Sequence, residues 1–228
     1  MKSTTLLYVL FTLLISGCSG THSILGSSGG YSKSDVAIQS DITVSGLKIR
    51  YSKLKTGSDC SSSGKDMVEL SGPIGPDSSE VVERLLSKMT TCNGYGPYVY
   101  LNSGGGTLKD GYKLANIFRK YSASTIVGYQ QSCASACAVA FLGGQTRVVF
   151  SGGKLIFHAP YLKNPSTGAA ECRSKTDSED LKKFYISMIG QKDGQFLFDR
   201  TMDTCSTTDG WTINKDAAKL FGIANSID

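Results

Sequence analysis

The sequence predicts a single α/β domain, and three observations predict it. Short apolar runs closed by glycine alternate with longer segments whose apolar residues recur at helical spacing, the order of crossover units that bind ligands at strand ends. The length, 228 residues, is enough for one sizeable core once a leader is set aside. Glycine clusters punctuate the pattern, with Leu101 leading into Gly104-Gly105-Gly106 and Leu142 into Gly143-Gly144.

Residues 1–17 read as an export leader. Lys2 gives a positive start, and Leu6 to Ile15 form an apolar stretch too short to span a bilayer. Leu14-Ile15-Ser16-Gly17-Cys18 resembles a bacterial lipobox, which implies cleavage before Cys18 and diacylglycerol on its thiol. Such an anchor holds a protein in the cell envelope without a spanning helix. Ser19 follows the cysteine where an aspartate would favour inner-membrane retention, so the resemblance favours the outer membrane, facing the periplasm. The alternative is an ordinary signal cut near Gly20, leaving a soluble exported protein. Residues 18–40 include Gly26-Ser27-Ser28-Gly29-Gly30 and read as a lipidated cysteine and flexible tether, with the folded domain at 41–228.

Within the domain, Ile42, Val44, Leu47, Ile49 and Tyr51 alternate as an amphipathic strand or hairpin, and Met67 to Gly72 is a short strand. A helix opens at Ser78, with Val81, Val82, Leu85, Leu86 and Met89 apolar. Pro97 to Leu101 is a strand, and Lys109 to Tyr121 a second helix carrying Tyr112, Leu114, Ala115, Ile117 and Phe118. Thr125 to Gly128 is another strand, and Ser135 to Leu142 a helix closed by Gly143-Gly144. Arg147–Phe150 and Lys154–His158 read as strands, 178–190 as a long helix and Lys215–Phe221 as a short one.

Charge excludes some functions. Lys2 is the one charged residue in 1–17, so its removal takes the formal net charge from +5 to +4, and the basic residues are scattered rather than striped. Nothing in that distribution suggests nucleic-acid binding. With Cys18 set aside, Cys60, Cys92, Cys133, Cys137, Cys172 and Cys205 remain, an even set that suits an oxidising compartment. The expected pairing is Cys60–Cys92, Cys133–Cys137 and Cys172–Cys205. Cys133 and Cys137 are alternatively two zinc ligands, but no nearby histidine or second close cysteine pair completes a set, so no metal is expected.

The chemistry concentrates in three short blocks. Of the two histidines only His158 lies in the expected domain, within Ile156-Phe157-His158-Ala159-Pro160. Ser135 sits among small residues in Cys133-Ala134-Ser135-Ala136-Cys137, and Asn102-Ser103-Gly104-Gly105-Gly106 ends a strand. A serine hydroxyl attacks an acyl carbon once a base takes its proton, and the oxyanion then needs backbone N–H donors. Alone, each block has a plain structural use as a helix cap, a core histidine or a loop. In this order they imply a serine hydrolase.

The same blocks resemble those of the Clp protease branch of the ClpP/crotonase superfamily, and more closely its exported ClpP-like relatives. The match spans roughly 66–228, with 29 residues from Gly106 to Ser135 and 23 more to His158. The resemblance implies a fold of repeated β-β-α units in a spiral. It also implies Ser135 as nucleophile, His158 as base, and the N–H groups of Gly106 and Ala136 as oxyanion hole. The family's aspartate precedes a final Ala-x-x-x-Gly helix end, here Ala218 to Gly222, which implies Asp209 as third member with Asp203 as runner-up. Gly104 stands where the family has proline, and Cys133 and Cys137 flank the nucleophile where cytosolic members have no such pair. A disulfide there would brace the turn or gate it by redox.

The expected function is therefore an ATP-independent, lipid-anchored serine endopeptidase acting on peptides or unfolded exported proteins. The resemblance implies a homo-oligomer; no cofactor and no ATPase partner are expected, because the compartment lacks ATP and the chain lacks a phosphate-binding loop. The alternatives are a non-proteolytic acyl-binding protein and a catalytically silent assembly protein on the same fold. A Ser–Lys dyad with Lys154 is a further variant.

Overall fold

The structure is a computed structural model that describes residues 36–54, 66–89, 91, 94 and 96–226. The leader, Cys18, the tether as far as residue 35, and the expected Cys60–Cys92 bridge lie outside the described residues. Strand β1 (Val36–Val44) begins inside the stretch read as tether, and pairs with β2 (Leu47–Leu54) as a long antiparallel hairpin. β2 pairs antiparallel with β3 (Asp66–Ser71), from which the sheet becomes parallel through β4 (Tyr98–Asn102), β5 (Ser124–Val127) and β7 (Thr146–Val149). The parallel strands are joined by helices α1 (Ser78–Leu86) and α2 (Leu108–Lys120), as parallel neighbours require.

A second sheet of three strands places the site. In it β6 (Ser132–Ala134) runs parallel to β8 (Lys154–Phe157), and β11 (Trp211–Ile213) runs antiparallel on the other side of β8. An isolated bridge between Ser103 and Cys133 joins β6 to the end of β4. Helix α3 (Ala136–Phe141) leaves β6 at once and is buried along its whole length. One core, containing Leu101, Leu114, Phe118, Phe141, Leu155 and Phe157, runs between the two sheets and the helices. The architecture is the single α/β domain that the strand and helix pattern implied.

Most sequence-read elements fall within a residue or two of the observed ones. The chain also forms a hairpin of β9 (Tyr161–Lys163) and β10 (Ala170–Cys172) directly after Pro160. The segment read as one long helix is α4 (Glu179–Ile189), and α5 (Gln191–Met202) follows after a break at Gly190, before α6 (Lys215–Leu220). No helix among the described residues is long and apolar enough to cross a membrane.

Candidate active site

Ser135 occupies a turn that few residues other than glycine accept. Its φ is 55° and ψ −125°, and it joins the end of β6 to the first residue of α3. Neighbouring main chain holds this turn. The Ser135 N–H donates to Ile156 O at 2.9 Å, and the Ala134 N–H donates to Ser103 O at 2.9 Å. The Cys133–Cys137 disulfide spans the turn with Cα atoms 5.1 Å apart, and both cysteines are fully buried. That burial puts the sulfurs out of reach of solvent, so the brace reading fits the fold and a gate opened by external thiols does not.

The glycine loop meets this turn. A Cβ at Gly105 (φ +98°) would lie 2.6 Å from both Ala134 O and Ser135 Cβ, and 3.0 Å from Ala136 N. Only hydrogen fits there. Gly106 (φ +156°) bridges Ile74 in parallel fashion, and a Cβ on it would stand 1.8 Å from Ile74 O. In such a bridge the flanking residues bond the partner: the Ile74 N–H donates to Gly105 O and the Thr107 N–H to Ile74 O. The N–H of Gly106 is thereby turned to the other side. Among the described residues neither the Gly106 nor the Ala136 N–H donates to a protein acceptor, so both are available to a ligand oxygen. Ser103 contributes a contact the sequence reading did not assign. Its buried hydroxyl accepts the Gly105 N–H at 3.0 Å and steadies the loop.

His158 follows the last residue of β8, half-buried, with its ring 5.3 Å from that of Tyr161. Since Ala134 pairs with Ile156, Ser135 and His158 leave the same ends of neighbouring parallel strands. Their side chains are not hydrogen-bonded to each other among the described contacts. The Nδ1–H of His158 donates to Ala159 O at 2.9 Å, which leaves Nε2 as the proton-accepting nitrogen. That is the tautomer a base for Ser135 needs.

Asp209 lies on the opposite flank of β8. Trp211 pairs with Phe157, so one further step sets Gly210 beside His158. The exposed Asp209 carboxylate accepts from Thr208 Oγ1 at 3.0 Å and, more weakly, from Ser206 Oγ at 3.4 Å. Its main chain is near His158, while its oxygens are turned into their own loop. Asp203 pairs with Lys175 and Arg200 at 3.6 Å each, which commits its carboxylate elsewhere. Lys154 begins β8 opposite Ser132, at the far end of the strand, about 13 Å along the chain from His158.

The far end of α3 is neutralised by two guanidiniums. Arg119 donates to Gly143 O and Leu142 O at 3.0 and 3.1 Å, and Arg147 donates to Gly144 O at 3.1 Å and Ile223 O at 2.7 Å. Burial, with nearby Arg119 adding to it, pulls the Arg147 guanidinium down to about 10. No group of three or more His, Cys, Asp or Glu side chains converges on a metal position among the described residues. The arrangement thus offers a hydroxyl on a strained turn, an imidazole of suitable tautomer and two free amides, a set suited to acyl chemistry.

Solved structures share this fold. The chain superposes on a serine-to-alanine mutant of the 1510-N membrane-bound stomatin-specific protease with a TM-score of 0.57 at 14% identity, covering 70% of this chain and 77% of that one. It superposes on ClpP1 from Listeria monocytogenes with a TM-score of 0.52 at 18% identity, covering 71% and 90%. A lysine-to-alanine mutant of the stomatin-specific protease, in complex with a substrate peptide, gives 0.56 at 14% identity over 70% and 73%. The fold is therefore the ClpP-like α/β fold. No protein-family model matches the chain, and no curated protein matches it by sequence.

Proposed function

We propose that the protein is a serine peptidase held at the envelope by a lipid on Cys18, which cuts peptides or unfolded exported proteins without ATP. Ser135 attacks the scissile carbonyl, His158 Nε2 takes the hydroxyl proton and returns it to the leaving amine, and Gly106 and Ala136 N–H groups bind the oxyanion. Asp209 completes the set once its carboxylate turns from Thr208 to the imidazole. The observation that carries this reading is the contact between Gly105 and the Ser135–Ala136 turn, with two amides left undonated beside it. The likeness to solved proteases supports it at the level of fold. Assembly into a homo-oligomer fits the same likeness, and the lipobox-like Leu14–Cys18 supports attachment to the outer membrane.

The test is labelling of purified mature protein by a fluorophosphonate. Modification of Ser135 is expected, with loss of it and of peptide cleavage in Ser135→Ala and His158→Ala. Absence of any labelling in well-folded protein overturns the reading. Full activity in His158→Ala would show that another group acts as base, and Lys154, at the opposite end of β8 from Ser135, is badly placed to be that group.

One observation favours a second reading, a catalytically silent binding protein. The imidazole Nδ1–H is satisfied by Ala159 O and no contact joins it to Ser135 or Asp209 among the described residues. Unlabelled Ser135 together with tight peptide binding is the result expected of that reading.

A further inference from the structure

The Cys172–Cys205 disulfide has no part in the chemistry above, yet it joins the two segments that must cooperate. On one side, the Ala159 N–H, next to the base, donates to Thr204 O at 2.8 Å. Cys205 is the next residue, and the loop that it opens carries Asp209. On the other side, Cys172 pairs with Tyr161 across the β9–β10 hairpin, and the Arg173 N–H donates to Pro160 O at 2.8 Å. The bridge, with Cα atoms 5.8 Å apart, therefore closes a ring through Thr204, Ala159, Pro160 and Tyr161. Tyr161 is also the ring that packs against His158.

The two disulfides among the described residues differ in access. Cys133 and Cys137 are fully buried, whereas Cys205 is exposed and Cys172 half-buried. Thiol–disulfide exchange needs an attacking thiolate in line with a sulfur, so of these two bridges the second is the one that can be opened in the folded protein.

We propose that Cys172 and Cys205 are positioning residues for His158, and that a dithiol opens their bridge in the native protein and lowers turnover. This rests on the peptidase reading. In the step, one thiolate of the dithiol attacks a bridge sulfur and forms a mixed disulfide, expelling the other cysteine as thiolate. The second thiol of the reagent then displaces the first cysteine. Two electrons pass to the protein, which ends with two thiols after protonation, and the reagent ends as a cyclic disulfide. Freed from Cys205, the hairpin no longer holds Tyr161 and Ala159 in register with Thr204.

The experiment treats mature, native protein with dithiothreitol, alkylates it and maps the modified cysteines. The His22→Ala variant, labelled with ¹⁵N-histidine, leaves a single imidazole whose resonances report His158 in the same samples. Expected results are alkylation of Cys172 and Cys205 with Cys133 and Cys137 untouched, and a shift or broadening of the imidazole resonances. Turnover should fall about 10- to 100-fold, as small misplacements of a reacting group do. KM should stay within about twofold, because ground-state binding is not what is lost. Cys172→Ser/Cys205→Ser should reproduce both changes without reductant. Unchanged turnover and unchanged resonances after the bridge is opened overturn the proposal, as does a bridge that resists the dithiol. Should the double variant not fold, the dithiol-treated wild type decides. Should Ser135 fail to label in the oxidised protein, the peptidase reading falls. The resonances then decide the positioning claim alone, and an unchanged spectrum overturns it.

Discussion

Strand β8 is flanked by β6 on one side and β11 on the other, and the two neighbours deliver their candidate catalytic residues by different means. The β6 side is fixed by main chain: amide-to-carbonyl bonds from Ala134 and Ser135, the Gly105 contact and a disulfide sealed from solvent. On the β11 side main chain reaches only as far as the β8–β11 ladder and the Ala159–Thr204 bond. The Asp209 loop itself is held by side chains at the surface: Ser206 and Thr208 hydroxyls, and a disulfide with one exposed cysteine. A nucleophile on a strained turn must be held by surroundings that over-determine it. A carboxylate that only orients the base can sit on a loop and turn into place. The difference implies that the Ser135 side is intolerant of small changes and the Asp209 side adjustable.

The largest effect is expected at Gly105. Gly105→Ala puts a methyl 2.6 Å from Ala134 O in a left-handed conformation, and should abolish Ser135 labelling. Overpacking of this kind costs about 1–3 kcal/mol, measurable as a lower urea midpoint. Wild-type labelling in Gly105→Ala would show that the turn is not rigid. On the other flank, Asp209→Asn should lower kcat by about 100- to 10,000-fold, in line with loss of a triad carboxylate, without loss of stability. Asp203→Asn should leave kcat within about twofold, since its partners are Lys175 and Arg200. The reverse ranking would place the third member at Asp203.

The disulfides sharpen the comparison through stability. Chain-entropy reasoning gives about 2 kcal/mol for a bridge over 4 residues and about 3.7 kcal/mol for one over 33. Cys172→Ser/Cys205→Ser should therefore lower the unfolding free energy more than Cys133→Ala/Cys137→Ala. The opposite order would mean that the buried bridge relieves strain at Ser135 beyond its entropic effect. Away from both flanks, the smallest change concerns alkaline pH. Burial, with help from the bond to Asp66, pushes the Tyr51 hydroxyl up to about 12. The unfolded chain then releases that proton first, so the stability it contributes is complete below pH 10 and lost as pH rises towards 12. Tyr51→Phe should flatten this fall in urea titrations at pH 8 and 11, and an unchanged slope would assign the fall to other groups.

How much of this was legible in the sequence follows from the same contrast. Strands β3, β4, β5, β7 and β8 are buried apolar runs, and α2 carries a regular apolar stripe, so local pattern reveals them. The end of α4 at Gly190 was legible, but α5 was not. Gln191-Lys192-Asp193-Gly194 opens α5 with polar residues, and its buried Leu197 and Phe198 come late. The β9–β10 hairpin has no apolar alternation, since Leu162 is exposed; its register and the disulfide tie it down instead. At the site, residue types and order pointed to Ser135, His158 and the glycine loop as candidates, and the close approach of Gly105 to the Ser135 turn is a contact that demands glycine. The expected Cys133–Cys137 and Cys172–Cys205 pairs are both formed. The direction of the Asp209 carboxylate was beyond reach, as it depends on which neighbouring hydroxyl a side chain on an exposed loop finds.

The most direct measurement is a crystal structure of the mature protein with a peptidyl phosphonate. The account predicts a covalent bond to Ser135 Oγ, with a phosphoryl oxygen about 2.7–3.1 Å from the Gly106 and Ala136 nitrogens and His158 Nε2 within reach of the adduct. A phosphonate on another residue, or on Ser135 with its oxygen directed away from both amides, would contradict it.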